Sequence, residues 1–275
     1  MEEPEALTLL RRWVRMPGVK DDKYSRGVVG FVTGSERYPG AALLGIHAAL
    51  ATGVGMVRYR GPKSVQELVL GSFPEVVIDP GRNTVTVVGS GIPRVLSAKD
   101  RERVARALEE PGFHVVDAGA LGIIEKSEFP TILTPHQGEL DALSRRLSLE
   151  PTGLPAVQAR AVAEALGVFV LAKGSSSCVA GPEGEFWKLP PATAWLATAG
   201  TGDALAGILG ALLATNAPEL AREPHLMGEV AVVASLVHAR AGHQASERHG
   251  GAAFTLTQLC DAIPVTVGTI LSEQA

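Results

Sequence analysis

Short apolar, β-branched runs alternate with longer helix-patterned stretches along nearly the whole chain, and this alternation restricts the possible folds more than any other feature of the sequence. Strand-like runs cover 28–33, 54–59, 76–78, 84–88, 114–117, 131–134 and 168–172. Helical patterns fill the intervals at 40–52, 99–109, 137–147, 156–166, 201–215 and 227–246. Most strand-like runs look buried, so the pattern predicts an α/β fold whose mainly parallel sheet carries helices on both faces. A hairpin around 181–184, between 178–180 and 186–187, adds an antiparallel edge. No repeat or low-complexity linker interrupts the pattern. The expectation is a single domain over 28–275, with residues 1–27 an N-terminal extension packed on it.

In such sheets ligands bind beyond the carboxyl ends of the strands, and the polar residues gather there. Gly34-Ser35, Gly89-Ser90-Gly91, Asp117, Thr134-Pro135-His136 and Lys173-Gly174 each close a predicted strand. Taken singly, each is an ordinary turn, cap or loop residue. Together they mark one rim of the sheet as the site.

The sharpest local signal is Ala199-Gly200-Thr201-Gly202-Asp203, which runs without a charge into the apolar stretch 204–214. Two glycines let backbone approach a ligand closely, the first amides of a helix lack carbonyl partners, and the helix dipole favours negative charge there. This is a phosphate-binding corner. Asp203 reads either as a helix-start residue or as a base beside a phosphoryl group. No rival nucleotide motif exists: the chain lacks G-x-x-x-x-G-K-[ST], and Gly89 to Arg94 lacks the third glycine of a dinucleotide fingerprint and carries Pro93.

Composition removes several classes of partner. The net charge of -4, with no Lys/Arg-rich block, gives no footprint for nucleic acid or an anionic membrane. The start, Met1-Glu2-Glu3-Pro4-Glu5, is acidic where a signal peptide is basic, and the longest uncharged apolar run is too short to span a bilayer, so a cytoplasmic protein is expected. Cys178 and Cys260 lie far apart without ligand-spaced neighbours and read as buried thiols.

The motifs together resemble the ADP-dependent NAD(P)H-hydrate dehydratases of the ribokinase-like superfamily, through most of the chain. The resemblance runs through Lys23 to Gly27, Gly34-Ser35 to Gly40-Ala41-Ala42, Thr52 to Val57, Val116 to Leu121, Leu133-Thr134-Pro135-His136-Gln137-Gly138-Glu139, Lys173 to Ser177 and Gly200 to Asp203, with His238 and Gly242 at a similar spacing in the last long helix pattern. His136 separates this branch from sugar and vitamin kinases, which usually carry Asn there. Two positions depart: Ser90 stands where the family has proline, and Asp22 where it often has histidine.

The resemblance implies a three-layer ribokinase-like sandwich that returns hydrated NADH or NADPH to NAD(P)H through a phosphorylated intermediate. It implies Asp203 as the base, with Gly200, Thr201 and Gly202 holding the developing charge. Lys173, Gly174, Ser175, Ser176, Ser177 and Gly202 are expected to bind ADP, and Ala42, Gly91, His136 and Asp203 the hydrate. It also implies Mg²⁺ approached by Glu139 through water, a separate NAD(P)HX epimerase, and a homotetramer. An ATP-dependent small-molecule kinase of the same fold, or a nucleotide sensor without catalysis, are the alternatives.

Overall fold

The computed structural model describes residues 1–273. In chain order the elements are α1 (Glu3–Trp13), β1 (Val28–Val32), α2 (Gly40–Thr52), β2 (Met56–Tyr59), α3 (Lys63–Ser72), β3 (Val85–Val88), α4 (Ala98–Leu108), β4 (Phe113–Val116), β5 (Thr131–Leu133), α5 (Gln137–Arg146), α6 (Pro155–Leu166), β6 (Phe169–Ala172), β7 (Cys178–Ala180), β8 (Phe186–Lys188), α7 (Thr201–Thr215), α8 (Ala217–Leu220), α9 (Met227–Glu247) and α10 (Leu256–Ser272). One eight-stranded sheet runs β2-β1-β3-β4-β5-β6-β7-β8. The first six strands are parallel. The last two are antiparallel to their neighbours.

Alternate strand residues feed two separate hydrophobic layers, as the two-residue period of a strand requires. Val29, Phe31, Val85, Val87, Val115, Ile132 and Leu171 pack with α2, α7, α9 and α10. Val32, Val88, Val116, Leu133, Val170 and Ala172 pack with α4, α5 and α6 on the other face. The chain is therefore a three-layer α/β sandwich, as expected. Buried Leu10 and Trp13 seat α1 in the first of these layers.

Helix α7, which positions the site, is apolar almost all round, and its residues from Ala204 to Ala214 are buried without exception. It lies against α2 backbone to backbone. A Cβ at Gly207 would stand 2.1 Å from the Gly45 carbonyl oxygen, so only glycine permits this approach.

The expected helices agree with the observed ones to within one residue at each end, and the 178–187 hairpin is β7–β8. One strand differs: at 76–78 only Val77 bridges Arg58, because the sheet ends at β2 and the segment simply passes its edge. Helices α1, α3, α8 and α10 lie outside the expected ones. Helix α10 carries Pro264 inside it, which removes an amide donor and hides the helical pattern.

Candidate active site

The carboxyl ends of β3, β4, β5 and β6 converge on one buried carboxylate. Asp117, immediately after β4, is 3% exposed. It accepts from Ser90 Oγ at 2.9 Å, from Thr134 Oγ1 at 2.8 Å and from Lys173 Nζ at 2.7 Å. Burial by itself would raise its proton affinity, but the Lys173 charge and the three donors outweigh that and hold the carboxyl below the usual range. The turns that allow this are tight: a Cβ at Gly89 (φ +110) would fall 1.9 Å from the Asp117 carbonyl oxygen, and Ala118 adopts a positive φ of 45.

Lys173 reaches from the end of β6 to the start of α7, where its Nζ lies 3.1 Å from the position a Cβ would take on Gly202. Desolvation opposes its charge, yet Asp117, then Glu139 and Asp203, keep the ammonium protonated above the ordinary lysine value. Gly200 caps α7 with φ +98, a left-handed turn that suits glycine. Thr201 is tied back to the preceding loop, its amide donating to Thr198 O at 3.3 Å and its hydroxyl to the Leu196 and Thr198 carbonyls at 2.9 Å each. The corner therefore offers an anion the amides beyond Thr201, at Gly202 and Asp203, together with one ammonium.

Asp203 sits in the first turn of α7, half-buried. Burial, then the negative charges of Asp117 and Glu139, raise its pKa to about 7 against the attraction of Lys173. A carboxyl so tuned can take and return a proton near neutrality, which is what a general base needs.

Of the remaining expected residues, Gly174, Ser175, Ser177, His136 and Glu139 line two cavities, and Ser176, Ala42 and Gly91 line neither. One, of about 600 Å³, is walled by Lys173, Gly174, Ser175, Ser177 and Gly202, with the 189–197 segment and α9 opposite. Ser176 is not on its wall, and the Ser177 hydroxyl closes its own loop through Gly174 N at 3.1 Å and O at 2.8 Å. The second, about 440 Å³, is lined by Ile92, Gly119, Glu139 and Arg146. His136 borders both. It caps α5 through a capping box in which its Nδ1 accepts from Glu139 N at 3.3 Å and Glu139 Oε2 accepts from His136 N at 2.9 Å. Burial, then Asp117, raises the Glu139 pKa.

Gly91, with φ +68, lies against the Gly34-Ser35 loop, where Ser35 Oγ donates to its carbonyl at 2.8 Å. Ala42 is wholly buried beneath Gly34, so it shapes the loop from below and presents no surface to a ligand. Sequence reasoning gave Asp117 only as a strand end and did not mark the 189–197 segment. Pro190-Pro191 was the only signal of that wall.

A three-layer α/β sandwich with a glycine-opened helix at the carboxyl rim of a mainly parallel sheet is a class of fold that this chain shares with solved proteins. The fold of a ribokinase-like superfamily protein from Enterococcus faecalis matches with a TM-score of 0.82 over 96% of this chain and 94% of the other, at 20% identity. A Bacillus subtilis ADP/ATP-dependent NAD(P)H-hydrate dehydratase, co-crystallized with ATP/Mg²⁺, matches equally well in fold at 24% identity, covering 96% of this chain and 97% of that one.

Within this class the chain belongs to the NAD(P)H-hydrate dehydratase family, whose sequence profile matches residues 29–265. It is 40% identical over 230 residues to the bifunctional NAD(P)H-hydrate repair enzyme Nnr of Mycobacterium tuberculosis, covering 78% of this chain and 46% of the relative. The chain thus spans about half the length of the bifunctional relatives it matches. It is 30% identical over 270 residues to the ADP-dependent (S)-NAD(P)H-hydrate dehydratase of Xanthomonas campestris, covering 90% of this chain and 91% of that protein. Among the described residues, no helix is long and apolar enough to cross a membrane.

Proposed function

We propose that this chain is a hydro-lyase that restores NADH and NADPH from their hydrates at the expense of ADP. One observation carries the reading: a carboxyl with a pKa of about 7 stands in the first turn of a glycine-opened helix, next to a buried lysine ammonium. Hydroxide leaves a saturated ring carbon poorly, so the hydroxyl must first become a phosphate ester. Asp203 takes the proton of the ring hydroxyl as its oxygen attacks the terminal phosphorus of ADP, and the bond to AMP breaks. Lys173 and the amides of Gly202 and Asp203 hold the charge on the phosphoryl oxygens. The phosphate then departs with its bonding electrons as the ring nitrogen supplies its lone pair. Loss of a proton from the neighbouring ring carbon completes the dihydronicotinamide.

The 600 Å³ cavity, with Lys173, Gly202 and His136 on its wall, suits the nucleotide; the 440 Å³ cavity adjoins it at His136 but carries neither Asp203 nor Gly91 on its wall. Among the described residues no three His, Cys, Asp or Glu side chains are grouped to hold a metal ion unaided. Mg²⁺ keeps several waters and takes further ligands from phosphates, and Glu139 would reach it through water. ADP rather than ATP as donor, and an epimerase of the same hydrates as companion, enter from the family resemblance.

The test is to mix the chain with hydrated NADH, ADP and Mg²⁺ and follow the dihydronicotinamide absorbance together with AMP and phosphate. The expected result is recovery of NADH with one AMP and one phosphate per turnover. A stable phosphorylated alcohol without NADH would instead make it a kinase, and bound nucleotide without any chemistry a sensor.

A further inference from the structure

We infer that Asp117 is a positioning residue whose task is to hold the Lys173 ammonium at the mouth of α7 and so keep it off Asp203. The inference rests on the phosphoryl-transfer reading of this site and deepens it.

Three carboxylates surround one ammonium here. Asp117, Glu139 and Asp203 all act on Lys173, but Asp117 alone is within hydrogen-bond distance, at 2.7 Å. The choice is built in. Ser90 at the end of β3 and Thr134 at the end of β5 donate to Asp117, one to each oxygen, so the carboxylate is fixed in direction and kept ionised although it is buried. A cation beside a helix N-terminus is disfavoured by the dipole, so Lys173 would not stay near Gly202 without an anchor. Held there, its charge adds to the free amides where a phosphoryl group would lie.

The second consequence concerns the base. An ammonium in contact with Asp203 would stabilise the ionised carboxylate and weaken it as a proton acceptor. With Lys173 turned to Asp117, Asp203 instead faces two negative groups, Asp117 from β4 and Glu139 from α5, and the single positive charge of Lys173 from β6. Ser90 acquires a reason in this arrangement. Where the family pattern has proline, which has no hydroxyl to offer, this chain donates to Asp117 Oδ2.

The experiment compares wild type with Asp117→Asn, which keeps the shape and one accepting oxygen but removes the charge, so that the hydroxyl of Ser90 or Thr134 facing the new amide must turn to accept from it. Carbon-13 NMR of the aspartate carboxyls, with Asp203 assigned from Asp203→Asn, reads the base in ligand-free protein. The wild-type Asp203 midpoint is expected near neutrality, and in Asp117→Asn lower by about one pH unit or more, from loss of the Asp117 charge and from Lys173 turning to Asp203, with faster hydrogen exchange at Lys173 Nζ in the variant marking the second contribution. With hydrated NADH, kcat should fall about 100-fold and its acid limb move the same way, while the KM for ADP rises only several-fold. An unmoved midpoint, or a rate loss that follows the folded fraction alone, overturns the inference. Should Asp117→Asn not fold, nitrogen-15 NMR of wild type decides: slowed hydrogen exchange at Lys173 Nζ is expected, and exchange at a surface-lysine rate overturns it. A midpoint that moves in a protein unable to restore NADH would remove the proposed reaction and leave the positioning role standing; the reverse would remove the positioning role.

Discussion

The two helical layers that sandwich the sheet are built on different rules. On one face α2 and α7 are apolar with small residues at their contacts, so that their backbones touch and the pair has little room to adjust. On the other, α4 and α5 are amphipathic, buried only along narrow stripes such as Val104 and Ala107 or Leu140 and Leu143, with charged outer faces. The first layer carries the anion corner of α7; the second carries His136 and Glu139 at the start of α5. A phosphate site needs amides fixed to within a fraction of an ångström, and the close approach of α7 to α2 supplies that. Rigidity is concentrated where charge must be met.

The largest effect expected separates function from stability at the rigid corner. Asp203→Asn should lower turnover by at least about 1,000-fold, since the amide cannot accept the proton. The same change should stabilise the fold. A carboxyl whose folded pKa lies above its unfolded value binds its proton more tightly when folded, so ionising it costs stability. That cost is absent near pH 3, grows as pH rises from about 4, and is complete above about 7. Asp203→Asn should therefore gain about 1–3 kcal/mol in urea unfolding at pH 8 and little at pH 4, once partial solvent screening is allowed. A variant that is inactive yet no more stable at pH 8 would show that the corner does not strain its carboxyl.

The contrast in packing is sharpened by one substitution on each face. Gly207→Ala drives a methyl to 2.1 Å from the Gly45 carbonyl oxygen, where neither backbone can yield. It should cost about 3 kcal/mol or more, read as a lowered urea midpoint. Gly138→Ala in α5 meets only the His136 ring, at 3.2 Å, and gains helix propensity, so its effect should stay within about 1 kcal/mol. Equal losses would mean that the two layers are alike in stiffness.

The same difference explains what could be read from the sequence. Alternating strands and helices, and the Gly200-Thr201-Gly202-Asp203 corner, are local signals, and the chain writes them in consecutive residues. Asp117 is a different case. Its importance comes from Ser90, Thr134 and Lys173, which lie 27, 17 and 56 residues away and meet only because β3, β4, β5 and β6 are neighbours in the sheet. Periodicity could not supply that. Ala42 erred in the other direction, since a small residue next to a glycine loop fits a ligand contact and a loop support equally well until burial is known. Helix α1 was obscured because its acidic, proline-containing start reads as an extension, while Ala6, Leu10 and Trp13, which bury it, are too few to establish a period.

A pH-dependent test of the layers runs through their buried histidines. His238 on α9 faces the nucleotide cavity, with Nε2 lacking a hydrogen-bond partner, and burial, reinforced by Lys173, lowers its pKa to about 4. His114 on β4 is wholly buried, packed edge-on against Phe129 with ring centroids 5.7 Å apart, and burial lowers its pKa too. For both, the folded chain prefers the neutral ring. The stability this gives is whole above the unfolded histidine value of about 6.5 and is lost as pH falls below it, for His238 down to about 4. His238 should account for about 2 kcal/mol of the loss between pH 6.5 and 4, allowing for some relaxation around the charged ring. His238→Gln should flatten that part of the urea-midpoint profile and leave the His114 part in place, so that the two layers acidify independently. If His238→Gln left the profile unchanged, the cavity wall would have to admit water to the ring, and the stiff face would be more open at the nucleotide cavity than its packing implies.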